Sequence, residues 1–221
     1  MKGDFFMKNV IVLGAAGNIA KFAEEYLAMQ DDVNLKLYLR HPEKLSTEEA
    51  KRGTIIQGDV LDEATLAAAL QGQDIVYANL AGEDIEQQAK TIVKTMDQVG
   101  IKRLIWISSI GIYDEVPGKF GEWNNQMLGA TYLPTYAAAV KAIENSDLNY
   151  TVLRPAWLSD KDEVSYEFTQ KGEPFKGTEV SRKSIGELVA KLVEQPTKHV
   201  HESLGVNKPN TNGDKPEWYQ K

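Results

Sequence analysis

The stretch Asn9–Leu27, NVIVLGAAGNIAKFAEEYL, restricts the fold more than any other part of the chain. An apolar, β-branched run ends on Gly14 and passes at once into a segment with helical period, so a strand, a tight turn and a helix follow without a break. Similar runs recur at 34–40, 53–58, 74–80, 103–109 and 150–155, with helices expected at 18–30, 62–71, 83–99, 134–146 and 182–194. Nearly continuous Val, Ile and Leu in the strands implies a parallel sheet covered on both faces, a doubly wound α/β architecture. Such sheets bind ligands beyond the carboxyl ends of their strands, where the strand order reverses.

The chain has 221 residues, which suits one domain with a substantial core. We expect a dinucleotide-binding core over 7–155 and a small C-terminal, substrate-side part with a tail over 156–221. Met1–Phe6 reads as a loose extension, Pro117–Gly129 as a loop, and Asn207–Lys221 as a polar tail that wraps the surface or frays. The net charge of −7 argues against a nucleic-acid or acidic-membrane surface. The absence of cysteine excludes disulfides, thiolate metal sites and a Cys nucleophile. No stretch is long enough to span a bilayer, and the apolar run at 10–16 is too short and too soon followed by charge to be a signal peptide. The chain therefore reads as cytoplasmic.

Gly14-x-x-Gly17-x-x-Ala20 sits at the strand-to-helix turn. Small residues there let the backbone turn sharply and approach a pyrophosphate, while the next helix offers free N–H groups and the positive end of its dipole. The alternative is a tight turn that binds nothing. About twenty residues past the third small residue, such folds read the adenosine ribose with an acid, or a 2′-phosphate with an arginine. The count from Ala20 reaches Arg40, so NADP is favoured over NAD; the alternative is an exposed Arg40 paired with Glu43.

The segments GAAGNIA, YLRHPEKL, GDVLD, WISSIGIY, LNYTVLRPAWL and VSRKSIGELV together resemble the atypical, NmrA-like branch of the short-chain dehydrogenase/reductase superfamily, which includes small flavin and quinone reductases. The resemblance spans about residues 8–194 and implies a single Rossmann-type domain. It implies that Gly14, Ala15, Ala16, Gly17, Asn18 and Ile19 hold the pyrophosphate and Arg40 the 2′-phosphate. Asp59 and Val60 would border adenine, Asn79, Leu80 and Ala81 would lie along the ribose, and Pro155 would also be among the cofactor-binding residues. Asp62 and Ser181 also read as helix N-caps, with Ile185, Leu188 and Val189 as a core face.

In that superfamily a Ser or Thr after the fifth strand, and a Tyr and Lys four apart on one helical face, handle the proton. Ser109 fits the first place, or else only bonds the local backbone. Lys141 does not fit: it lies five residues after Tyr136, about 140° round a helix, and nine after Tyr132, about half a turn. Alignment on LNYTVLRP puts the pair at Tyr132 and Tyr136, with a phenol in place of the ammonium. A neutral phenol does not lower a neighbouring tyrosine's pKa. A flavin or quinone accepts hydride onto a conjugated ring and takes its proton from solvent, so positioning suffices. Ile110, Trp123, Tyr132 and Trp157 are candidate pocket residues for such a ring; each is also an ordinary core type. His41 is placed to assist at the phosphate, whereas His199 and His201 have no acidic partner at a useful spacing, and no metal site is expected.

The expected activity is thus NADPH-dependent reduction of a small conjugated acceptor by a monomer or homodimer. Two other classes remain: an NADP(H)-sensing regulator acting through a protein partner, and a sugar-nucleotide epimerase or dehydratase.

Overall fold

Four consecutive residues, Val10 to Leu13, have no exposed surface in the computed structural model of the chain, which describes residues 7–219. A strand hides successive side chains only when both faces of its sheet are covered. In β1 (Lys8–Leu13), Val10 and Val12 join one apolar cluster and Ile11 and Leu13 another. The first cluster includes buried residues of α1 (Asn18–Ala28) and the second includes those of α3 (Glu63–Leu70), beyond the single turn of α2 (Thr47–Ala50). α4 (Ile85–Val99) and the second half of α5 (Gly118–Glu144) complete the second layer, and α6 (Arg182–Glu194) packs beside α1 in the first. A Cβ on Gly186 would lie 2.6 Å from Phe22 Cβ, so the α1 and α6 backbones approach where only glycine fits.

The strands are β2 (Val33–Leu39), β3 (Thr54–Gln57), β4 (Ile75–Ala78), β5 (Arg103–Ile107), β6 (Asn149–Pro155), β7 (Trp157–Ser159), β8 (Glu167–Thr169), β9 (Glu179–Ser181) and β10 (Glu202–Asn207). Eight of them form one sheet in the order β3-β2-β1-β4-β5-β6-β10-β8, parallel except for β8; β7 and β9 pair separately. This is the doubly wound Rossmann-type α/β domain expected from the sequence. The order reverses between β1 and β4, where Leu13 pairs with Ala78, so the ligand crevice opens beyond these two ends. Asp62 and Ser181 cap α3 and α6, accepting from the Thr65 and Ser184 amides.

Three expectations need correction. Residues 118–128 are helical rather than a loop: Phe120, Gly121 and Asn124 bury one face, and Gly129, at φ 65°, breaks α5 into two helices. The chain after 156 is not merely a substrate-side appendage, because β10 extends the main sheet beside β6. His199 does have an acidic partner, Glu202, at 2.8 Å. The tail packs over 208–219, with Tyr219 stacked edge-on against Trp123. Met1–Phe6 lie outside the described residues.

α1 carries one buried carboxylic acid. Glu24 has no exposed surface, and neither of its carboxyl oxygens has a hydrogen-bond partner. Burial pushes its pKa from 4.5 up to about 8, against the opposing pull of Arg52 and Lys21. The folded chain therefore keeps a proton that the unfolded chain releases, and stability falls as pH rises from about 4.5 to about 8. Glu24→Gln should match the wild type at pH 5 and exceed it by ~2–4 kcal/mol at pH 8. Urea unfolding across that range checks this; parallel profiles for the two proteins would refute it.

Candidate functional site

The turn after β1 is built for close approach. Gly14 has φ +82°, and a Cβ there would lie 2.3 Å from the Asn79 carbonyl oxygen. A Cβ on Gly17 would lie 1.9 Å from Asn79 Nδ2. Gly17 is also the N-cap of α1: no side chain caps the helix and its first turn holds no acidic residue. The first-turn N–H groups thus keep their donors for an outside anion. Ala20, fully buried, lets α1 lie close on the sheet.

A cleft of about 360 Å³ opens here. Gly14, Ala16 and Gly17 line it together with Arg40, Asp59 and Val60, and Asn79, Leu80 and Ala81 line it from the end of β4. Of the other residues assigned to the cofactor, Asn18 is exposed beside the turn, whereas Ala15, Ile19 and Pro155 are buried and absent from the cleft lining. The sequence reading missed five lining residues: Tyr38, Leu39, Lys44, Gly58 and Gln88. Tyr38 donates from its hydroxyl to the Asp59 carbonyl at 2.8 Å, and a Cβ on Gly58 would meet that hydroxyl at 2.3 Å. Gly58 opens the GDVLD segment, so its sequence position was the available signal. Gln88 donates to Asp84 Oδ1 at 2.6 Å and to the Ala81 carbonyl at 3.3 Å, bracing the loop after β4.

Arg40, His41 and Lys44 gather three basic groups at the end of β2. Arg40 does not pair with Glu43, which His41 takes at 3.1 Å. It faces Asp59 at 3.8 Å with 62% of its side chain exposed, too loose a pair to hold the guanidinium against a phosphate.

The tyrosines stack, ring centroids 4.0 Å apart. Tyr136 is buried, and burial, with Tyr132 second, drives its phenol pKa far above 10; the Gly82 backbone amide pulls slightly the other way. Tyr136 is therefore a neutral hydroxyl beside the loop that carries Asn79–Ala81. Tyr132 lies three residues past the break at Gly129, one edge in solvent, and Lys141 is exposed. Ser109 Oγ donates to the Ile110 carbonyl at 3.2 Å, the local-backbone alternative, and Ser108 Oγ is buried without a partner.

The proposed pocket residues do not line this cleft. Ile110 is core, and Trp123 and Trp157 pack on each other at 4.5 Å with Phe120, Trp218 and Tyr219 around them. Among the described residues, no helix is long and apolar enough to cross a membrane and no group of His, Asp and Glu could hold a metal ion.

A family model described as NAD(P)H-binding matches residues 14–196. A Rossmann-fold NAD(P)-binding family protein from Shigella flexneri is 43% identical, with a TM-score of 0.83 over 96% of this chain and 100% of that one. A short-chain dehydrogenase/reductase from Veillonella parvula, solved in complex with NADP, is 28% identical, with a TM-score of 0.89 over 96% of this chain and 99% of that one. No curated protein matches the sequence.

Proposed function

The chain belongs to the NAD(P)H-binding family, and from that premise we propose that it is an oxidoreductase that binds NADP(H) and reduces a small conjugated acceptor, a quinone, flavin or carbonyl compound. The observation that carries the reading is the cleft itself: a glycine cradle that a Cβ would fill, an uncapped helix terminus, and Arg40, His41 and Lys44 at the far strand end. The α1 amides and Gly14–Gly17 would hold the pyrophosphate. Arg40 and Lys44 would grip a 2′-phosphate, which Asp59 alone would repel. The NADP complex of the Veillonella protein supports this cofactor.

When bound, NADPH supplies the hydride. Tyr136, buried and neutral, holds its hydroxyl near Gly82 and the ribose side; Tyr132 shields the edge; Ser109 offers a hydroxyl beyond β5. No cation is among the groups that shift Tyr136, which favours acceptors that take their proton from water. The same observation favours a second reading, a non-catalytic NADP(H) sensor acting through a protein partner.

NADPH should bind at least about tenfold tighter than NADH, and Arg40→Ala should remove about 10–100-fold of NADPH affinity while changing NADH affinity less than about twofold. Calorimetric titration measures both; equal binding of the two nucleotides would defeat the NADP assignment. Loss of NADPH absorbance with a panel of quinones, flavins and aldehydes separates enzyme from sensor, since firm binding without turnover favours the sensor.

A further inference from the structure

A buried hydrogen-bond donor lies without a partner at the carboxyl end of the sheet. Asn124, on the first half of α5, has no exposed surface. The Trp157 indole Nε1 donates to its Oδ1 at 2.9 Å, and because an indole N–H only donates, this bond fixes which end of the amide is oxygen. The Nδ2 end, with two N–H groups, is buried and unpaired. It fills the space where a side chain at position 111 would begin: a Cβ on Gly111 would sit 2.7 Å from Nδ2.

The location gives this orphan its meaning. Gly111 comes two residues after Ser109 in the loop beyond β5, and Trp157 comes two residues after Pro155 at the end of β6. Tyr77 and Trp106 also carry unpaired buried groups, but on the central strands β4 and β5 inside the sheet. Asn124 is at the carboxyl end of the sheet, bonded to the N–H edge of Trp157, which packs on Trp123. Buried amides in folded proteins are nearly always paired, and an unpaired one destabilises the resting protein. A donor held in fixed orientation and left unused at rest is suited to an oxygen that arrives with a ligand.

We propose that Asn124 Nδ2 donates a hydrogen bond to the carbonyl oxygen of the acceptor and sets the orientation of its ring. The proposal rests on the reductase reading. When the conjugated acceptor takes hydride from NADPH, the carbonyl π pair moves onto that oxygen, which then collects a proton from water. A neutral amide stabilises the developing charge without the tuned acid that the two tyrosines do not provide.

Menadione serves as the probe. In Asn124→Leu its KM should rise at least about tenfold while NADPH affinity changes less than about twofold; Asn124→Ser, which keeps a shorter donor, should fall between and replaces Leu if that variant does not fold. In the wild type, the Asn124 side-chain amide signals in a ¹⁵N–¹H spectrum should shift on saturation with menadione. An unchanged KM in a folded variant, or amide signals that do not move, overturns the proposal. If the wild type reduces no acceptor, the reductase reading fails separately, and the amide spectrum still decides whether Asn124 binds the carbonyl.

Discussion

Alanine at position 17 is expected to lower NADPH affinity by about 100-fold or more. The added Cβ would lie 1.9 Å from Asn79 Nδ2 and 3.1 Å from the Gly14 carbonyl oxygen. The Asn79 backbone is held in place, because its N–H donates to the Leu13 carbonyl at 2.9 Å and fixes the end of β4 against β1, so relief must come from its side chain or from the turn. Either the Asn79 side chain swings into the cleft or the turn opens and withdraws the α1 amides, and both spoil the floor on which a pyrophosphate would lie. Calorimetry with NADPH gives the affinity, and thermal melting without nucleotide shows whether the variant still folds. A folded variant with undiminished affinity would place the pyrophosphate elsewhere.

Arg154→Met should destabilise the fold by about 3–5 kcal/mol. Arg154 is wholly buried, ion-paired to Glu115, and donates from Nε to Ser203 Oγ at 3.1 Å and from a terminal nitrogen to the Ser203 carbonyl at 3.1 Å. Its guanidinium also lies over the Tyr113 ring, 5.1 Å from the centroid. This one side chain ties β6 to β10 and to the turn at 113–115. Its loss would strand the Glu115 carboxylate in the core, where a lone charge is far costlier than a pair. The double variant Arg154→Met/Glu115→Leu should recover more than half of the loss in urea unfolding. Recovery of none would show that packing, rather than the stranded charge, dominates.

The parts of the fold that could be read from the sequence were those whose burial is continuous. β1 and its glycine turn announce themselves because both faces of the strand are apolar and the turn tolerates only small residues. β10 gave no such signal: Ser203 and Gly205 interrupt it, and it is buried because Arg154 satisfies Ser203, a partner 49 residues away. The helix at 118–128 was hidden in the same way, since its inward face includes Asn124 and Gly121 rather than a row of leucines. At the site, the glycines and Arg40 were legible from their spacing to the strands. Tyr38, Lys44 and Gln88 were not, because only the folded sheet brings the ends of β2 and β4 around one cleft. The failure of Lys141 to share a helical face with either tyrosine was visible from helical geometry alone, and its exposure agrees with that. Trp123 and Trp157 were assigned to a ring-binding pocket, whereas the fold packs them on each other and bonds Trp157 to Asn124, an arrangement that only the tertiary structure reveals.

The eight-stranded sheet stops at β3 on one side and β8 on the other, strands of four and three residues. A border that short offers few free amides and carbonyls for a second chain to add to, and the reversed direction of β8 ends the parallel run. Self-assembly through strand addition, and the aggregation that follows from it, is thus disfavoured at both borders. A pairing of two copies would therefore rely on surfaces other than these two sheet borders.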